Sequence, residues 1–292
     1  MEKTYSIVIP TGNRHRYLEP AISDLVVQDF PRDRFEIVII DDTPEGANRA
    51  LVETCAATAE VPVRYVRREG PKGINAARNT GIRRSRGDVV VYVDDDCRFD
   101  PAWLGALDRG IENAPRAECF GGPIEQWIEP GHPRWCGRDD FPVTALDQGP
   151  RDRYVDVVFG ANFAVLRSAF ERIGPFIGDM SGPGDEVEWI LRLRRNGGLV
   201  RYVSDAGVIH TRFADDVTLK KLMRTAVARG RQTSQFDLEQ GIVEPLHRVL
   251  RRAFRMSAHA VVFRCWSAAA HALLAYVYAF QTARPAARRR FA

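Results

Sequence analysis

The sequence lacks a long hydrophobic run. Its longest apolar stretch, Cys265 to Phe280, contains His271 and follows Arg264, falling short of the roughly 18 to 20 residues that a bilayer-spanning helix needs. A packed helix, or one resting on a membrane surface, is the expectation for it. Met1-Glu2-Lys3-Thr4-Tyr5 runs straight into an apolar strand-like segment, without the charged, apolar and small-residue regions of a signal peptide, so secretion is not expected. Cysteine is scarce and odd in number. Cys55, Cys97, Cys119, Cys136 and Cys265 show no metal-ligand spacing and cannot all pair within one chain, which favours a reducing cytoplasm. No Gly-x-Gly-x-x-Gly follows the first apolar run, which argues against a dehydrogenase, and no internal repeat is visible.

An excess of one charge is lacking as well. Forty-two basic residues stand against 38 acidic ones, for a net charge of +4, and a balance so mixed gives no reason to expect a nucleic-acid partner. The arginines nevertheless gather late, at Arg248, Arg251, Arg252, Arg255 and Arg288 to Arg290. They form either a basic surface for an anionic partner or a solvated helix face.

What is present is enough for a large core: 292 residues, 45% of them hydrophobic. Three β-branched runs, Ser6 to Ile9, Phe35 to Ile40 and Val89 to Val93, read as buried strands of a parallel sheet. Helical spacing lies between them, at Leu18, Ala21, Ile22, Leu25 and Val26, from about Ala47 to Ala59, and from Ile74 to Arg84. Strand and helix in alternation predict an open α/β sheet that binds ligands beyond the carboxyl ends of its strands. Asp100-Pro101 is expected to cap a helix through Trp103 and Ile111. Gly121 to Arg153 reads as irregular loops, Val155 to Phe159 as a strand, Ser168 to Ile173 and Glu186 to Asn196 as helices, and Val200 to Val203 and Gly207 to His210 as short strands. From Val217 onward the pattern is helical and basic, broken near Glu244-Pro245.

The chemistry gathers where strands end in acids. If Tyr92 to Asp96 is extended, Asp94 and Asp96 project to one side and Asp95 to the other. Two like charges about 4 Å apart repel by about 4 kcal/mol at an effective dielectric of about 20. A divalent cation or a raised pKa must answer that repulsion, and hard oxygen ligands suit Mg²⁺ or Mn²⁺. The plainer reading is a polar turn that caps the next helix.

Several ordered motifs carry a resemblance. They are Ser6 to Thr11 with Asn13-Arg14, Ile39-Ile40-Asp41-Asp42, Ala76-Ala77-Arg78-Asn79-Thr80-Gly81, Val93-Asp94-Asp95-Asp96, Gly160-Ala161-Asn162, and Gly184-Asp185-Glu186-Val187-Glu188-Trp189. In this order they resemble the family 2 glycosyltransferases of the GT-A fold, over about residues 1–215. The resemblance implies an α/β catalytic domain with a Rossmann-like, mixed and mostly parallel sheet flanked by helices. Residues 1–110 would form its nucleotide-binding half, 111–215 its acceptor-binding half, and 216–292 a C-terminal helical appendage.

It also implies roles. Pro10, Thr11, Asn13, Arg14, Asp41, Asp42, Arg78, Asp94 and Asp95 would bind the nucleotide sugar, with Asp41 or Asp42 accepting from a base ring N–H, usually of uracil. Asp96, with Asp94 and His210, would hold Mn²⁺ or Mg²⁺. Glu186 aligns with the catalytic base and Asp185 is its rival, because this chain has Asp then Glu where the family usually has Glu then Asp. Asn162 and Trp189 would face the acceptor, which is a small molecule, a glycan or a lipid-linked chain. Inverting, metal-dependent transfer of one sugar from a nucleoside-diphosphate donor, UDP-linked in the usual case, is the expectation, because the Gln-x-x-Arg-Trp motif of processive members is missing. The alternatives are a nucleotidyltransferase on a related sheet and a non-catalytic nucleotide-sugar-binding scaffold. A cytoplasmic place is expected, with peripheral contact at the inner membrane face or self-association as roles for the C-terminal helices.

Overall fold

The computed structural model describes residues 2–12, 14–43, 45–70, 72–129, 144–178 and 185–290, with the backbone alone described at 185, 239–240 and 284–290. The chain divides into two compact units. The first opens with β1 (Tyr5–Thr11), α1 (His15–Val26), β2 (Phe35–Asp41), α2 (Arg49–Thr58), β3 (Val63–Arg67), α3 (Ile74–Arg84) and β4 (Val89–Val93). It continues through β5 (Cys97–Phe99), α4 (Trp103–Glu112), β6 (Ala117–Gly121), β7 (Ile124–Ile128), β8 (Arg153–Val155) and β9 (Asn162–Leu166). It ends with α5 (Arg167–Ile173), α6 (Asp185–Arg195), β10 (Leu199–Tyr202) and β11 (Val208–Arg212). The second unit holds α7 (Leu219–Gln240), α8 (Leu246–Val262) and α9 (Trp266–Arg290).

The three β-branched runs are β1, β2 and β4, every residue of each buried. β1 pairs in parallel with both neighbours, Tyr5 standing opposite Phe35 on one side and Val89 on the other. Strands buried on both faces need no polar alternation, which is why these runs are apolar but for Ser6, Thr11, Glu36 and Asp41. The large sheet runs β3-β2-β1-β4-β9-β6-β10-β8, and a smaller one β5-β11-β7. β8 is antiparallel to β10 at the sheet's edge, and β9 is antiparallel to both β4 and β6, so the sheet is mixed, parallel in its first half and interrupted by the reversed β9.

That reversed strand corrects the sequence reading. The expected strand at Val155 to Phe159 is only β8, ending at Val155, while the strand beside β4 is Asn162–Leu166. It passes into α5 with no intervening turn residue, so no breaker marks its end. β3 escapes the sequence reading because its residues are only partly buried and mixed with arginine. β7 lies in the stretch read as irregular loop, of which 130–143 fall outside the described residues. Asp100 does not cap α4 directly; its Oδ1 accepts from Ala102 N at 2.8 Å, one step before the helix.

Cys55, Cys97 and Cys119 are free thiols, whereas Cys265 is disulfide-bonded. A disulfide is rare in a reducing cytoplasm, so the cysteines give no support to that compartment. Among the described residues no helix is long and apolar enough to cross a membrane.

α3 shows how one motif fixes local packing. Asn79 Nδ2 donates to Phe176 O at 2.9 Å while Phe176 N donates to Asn79 Oδ1 at 3.0 Å, and Asn75 Nδ2 reaches Ile177 O at 3.0 Å. On the opposite face Gly81 lies against Val8 of β1, so closely that a Cβ there would run into the valine methyls. Gly81→Ala is expected to destabilise the fold by about 1–3 kcal/mol through overpacking, read as a lowered denaturant midpoint with unchanged slope.

Candidate functional site

The acids at the end of β4 do not continue the strand. Cys97 N bonds Asp94 O at 3.3 Å, which closes a turn and overturns the extended geometry expected for Asp94 to Asp96. The turn lets one cation reach two of the acids: Arg14 donates to Asp95 Oδ1 at 3.0 Å and to Asp96 Oδ2 at 2.5 Å. Thr11, the last residue of β1, donates its hydroxyl to Asp95 Oδ2 at 2.7 Å. Pro10 and Thr11 thus position the rim from within the buried strand, while Asn13 lies outside the described residues.

Burial pulls the Arg14 guanidinium down, but Asp96 and Asp95 outweigh it and hold it above its usual value. Burial pushes Asp95 up to about 7, Arg14 pulling back against the repulsion of Asp96. Asp94 is raised by desolvation and then by Asp96. Its side chain keeps 32% of its exposure, the most open of the three.

His210 arrives from β11 with its ring buried. Its Nδ1 lies 3.2 Å from Thr144 O and its Nε2 lies 2.8 Å from Asp96 Oδ1. Two electron-rich atoms in contact need a proton or a cation between their charges. An octahedral Mg²⁺ or Mn²⁺ with ligands at about 2.1 Å places neighbouring ligands about 3 Å apart, so the Asp96–His210 pair fits such an ion. Asp94 Oδ2 stands 4.0 Å from Nε2. Asp96, Cys97 and His210 each offer a ligand atom within 4.8 Å of the others. Sequence reasoning does not single out Cys97, because its partner lies far along the chain. Its Sγ also donates to Ala161 O at 3.6 Å.

The acidic pair after β2 splits into two functions. Asp41 is fully buried and accepts five hydrogen bonds, from Thr43 N and Oγ1, Asn48 N and Nδ2, and Tyr65 Oη, at 2.7 to 3.0 Å. It builds the loop. Asp42 accepts from Arg68 Nε at 2.6 Å and Gly73 N at 3.0 Å. Together with Arg67, Arg68, Glu69 and Lys72 it lines a cavity of about 260 Å³, so Asp42 rather than Asp41 opens onto that cavity. Sequence reasoning misses Arg68, since nothing local ties it to Asp42.

Glu186 lies at the start of α6, buried, its Oε1 accepting from Gly160 N at 3.0 Å and its Oε2 lying 3.4 Å from Arg78 Nη1. Gly160 has no room for a side chain, because a Cβ would strike the Arg78 guanidinium and stand 3.3 Å from the Glu186 carboxyl carbon. The charges of Arg78 and Glu186 both act on Asp94, so this pair lies within electrostatic range of the acids. The side chain of Asp185 is outside the described residues.

Asn162 and Trp189 do not line an acceptor surface. Asn162 Nδ2 donates to Pro123 O at 3.2 Å and Ala206 O at 2.7 Å, and Trp189 is fully buried with its Nε1 on Gly174 O at 2.8 Å. The first ties strand ends together, and the second packs beside Phe170 and Phe176. A buried amide or indole must spend its donors on the scaffold, and both do.

A family model described as glycosyl transferase family 2 matches residues 6–174. Glycosyltransferase AglE of Haloferax volcanii is 24% identical over 221 residues, covering 75% of this chain and 70% of that protein. Of some other curated relatives the chain spans only 16 to 35%. In architecture it is similar to the mannosyltransferase PcManGT from Pyrobaculum calidifontis, solved with GDP-Man and Mn²⁺. That TM-score is 0.60 at 17% identity, over 98% of this chain and 76% of the other. GalNAc-T7, solved with UDP, GalNAc and Mn²⁺, gives a TM-score of 0.59 at 21% identity, over 77% of this chain and 47% of that one. The fold is therefore GT-A with added C-terminal helices.

Burial would raise the Asp41 carboxyl, but its hydrogen bonds prevail and hold it below its usual value of 3.8. Its stabilising contribution is therefore present above that pH and lost as pH falls through the lower folded-state value. Asp41→Asn is expected to cost about 1–3 kcal/mol at neutral pH by setting donor against donor. The deficit should narrow below about pH 4, as followed by denaturant titration across pH.

Proposed function

Because the chain belongs to glycosyl transferase family 2, we propose that it transfers one sugar from a UDP-linked donor to an acceptor hydroxyl, with inversion and with a divalent cation. The observation that carries this reading is the Asp96–His210 pair at 2.8 Å, set in one cluster of charges with Glu186 and Arg78. The Mn²⁺ in the solved GalNAc-T7 and PcManGT complexes supports the cation, and the UDP of the former supports the base.

Asp96 and His210 would hold the cation, with Asp94 beside them and Cys97 within reach. When bound, a divalent ion neutralises the diphosphate that departs. The cavity at Asp42 would take the base, its carboxylate accepting a ring N–H while Arg68 fixes its orientation. Arg14 sets Asp95 and Asp96 in place and contributes positive charge where the leaving group gains negative charge.

Glu186 takes the proton from the acceptor hydroxyl. The oxygen forms its bond to the anomeric carbon as the bond to the diphosphate breaks, and the electron pair leaves with the nucleotide. No covalent enzyme intermediate is needed. Arg78 and the Gly160 N–H point the carboxylate, one oxygen each, so Glu186 is held in place before any acceptor arrives.

Glu186→Gln should lower transfer about 10²- to 10⁴-fold, the usual worth of a general base, with UDP affinity retained. A UDP-release assay and calorimetry read the two separately; unchanged turnover would move the role to Asp185. Mn²⁺ should tighten UDP binding to the wild type, and Asp96→Ala should remove that gain; UDP binding indifferent to Mn²⁺ would overturn the reading.

A further inference from the structure

The second unit presents a surface that the transfer reaction does not use. α8 has three faces. Val249 and Ala253 are fully buried against Ala275, Tyr278 and Ala279 of α9. Leu246, Leu250, Phe254 and Val261 follow helical spacing along a second strip, and they face solvent: Phe254 is 71% exposed and Val261 80%. Val262 and Phe263 add exposed apolar side chains at the helix end. The third face carries Arg248, Arg251 and Arg255, all exposed. At about 100° per residue Arg251 borders the apolar strip directly.

The charge on this face is not balanced locally. Arg252 pairs with Glu244 at 2.9 Å, but among the described residues no carboxylate pairs with Arg248, Arg251 or Arg255. Residues 245–292 contain nine arginines and no Asp, Glu or Lys. Near the end of α8, a cavity of about 360 Å³ has Arg255 and His259 beside apolar Met256, Val262 and Phe263. His259 Nε2 is buried there without a hydrogen-bond partner among the described residues.

An occupant must therefore be anionic at its surface and apolar just beneath. A second copy of α8 would set arginine against arginine. A nucleic acid would satisfy the arginines and leave Phe254 and Val261 in water. Lipid offers phosphates at the depth of the guanidinium groups and acyl carbons below them. We propose that α8 docks this protein in the plane of an anionic phospholipid bilayer, Phe254 and Val261 entering beneath the headgroups while Arg251 and Arg255 pair with lipid phosphates. The inference stands independently of the transferase mechanism.

The test uses the full chain and vesicles of phosphatidylcholine, with or without phosphatidylglycerol. The protein should sediment only with the phosphatidylglycerol vesicles. Each arginine is worth about fivefold in partitioning, so Arg251→Glu with Arg255→Glu should weaken binding by about 25-fold or more. Phe254→Ser with Val261→Ser should also release the protein, while circular dichroism of these surface variants matches the wild type. In a separate Phe254→Trp variant, emission should shift to the blue on binding and be quenched by brominated acyl chains. Retention in the supernatant with every vesicle, or equal binding to pure phosphatidylcholine, would overturn the proposal. So would dimers that Phe254→Ser abolishes, since the face would then be covered by a second copy.

Discussion

Three carboxylates at consecutive positions behind a buried strand cannot all stay ionised without positive charge from elsewhere. The first unit is arranged around that constraint. Asp94, Asp95 and Asp96 follow β4, Arg14 comes from the loop after β1, and His210 comes from β11, more than a hundred positions away. The parallel pairing of β1 with β4 carries Thr11 and Arg14 to the same rim as the acids. A slip of one residue in that register would move Thr11 to the other face of the sheet and away from Asp95. The hydrophobic core thereby fixes the electrostatics as well as the fold.

Much of the sheet's first half is legible in the amino-acid order alone. β1, β2 and β4 announce themselves because strands covered on both faces are rich in Val and Ile. The acids that end them, and the ordered motifs around them, point to the same rim. β3 and β9 are not legible, the first because its residues are half-buried and share the strand with arginines, the second because it meets α5 without a break. Asp41 and Asp42 are adjacent and chemically alike, yet one is consumed by Thr43, Asn48 and Tyr65 while the other meets Arg68. Only three-dimensional partners separate them. Likewise Trp189 and Asn162 carry groups that could face a ligand, and burial decides that they brace the scaffold.

The two sides of the site are held by different means. The acids of the turn meet Arg14 and His210, both recruited over long distances in sequence. Glu186 is instead gripped at close range by a backbone N–H and by Arg78, whose guanidinium lies near the rings of Phe163 and Phe176. The first arrangement leaves charge that a cation can compensate. The second leaves a carboxylate whose direction is set by packing.

α3 joins these themes, since it places Arg78 in the site, clamps Phe176 through Asn79, and presses Gly81 onto β1. Anyone wishing to redesign the catalyst would find that helix a poor target, because selection for new reactivity there would be confounded by loss of soluble material. The loop around Asp42 and Lys72 instead borders an open cavity. With the base proposed to sit at Asp42, libraries aimed at a different nucleobase would begin in that loop.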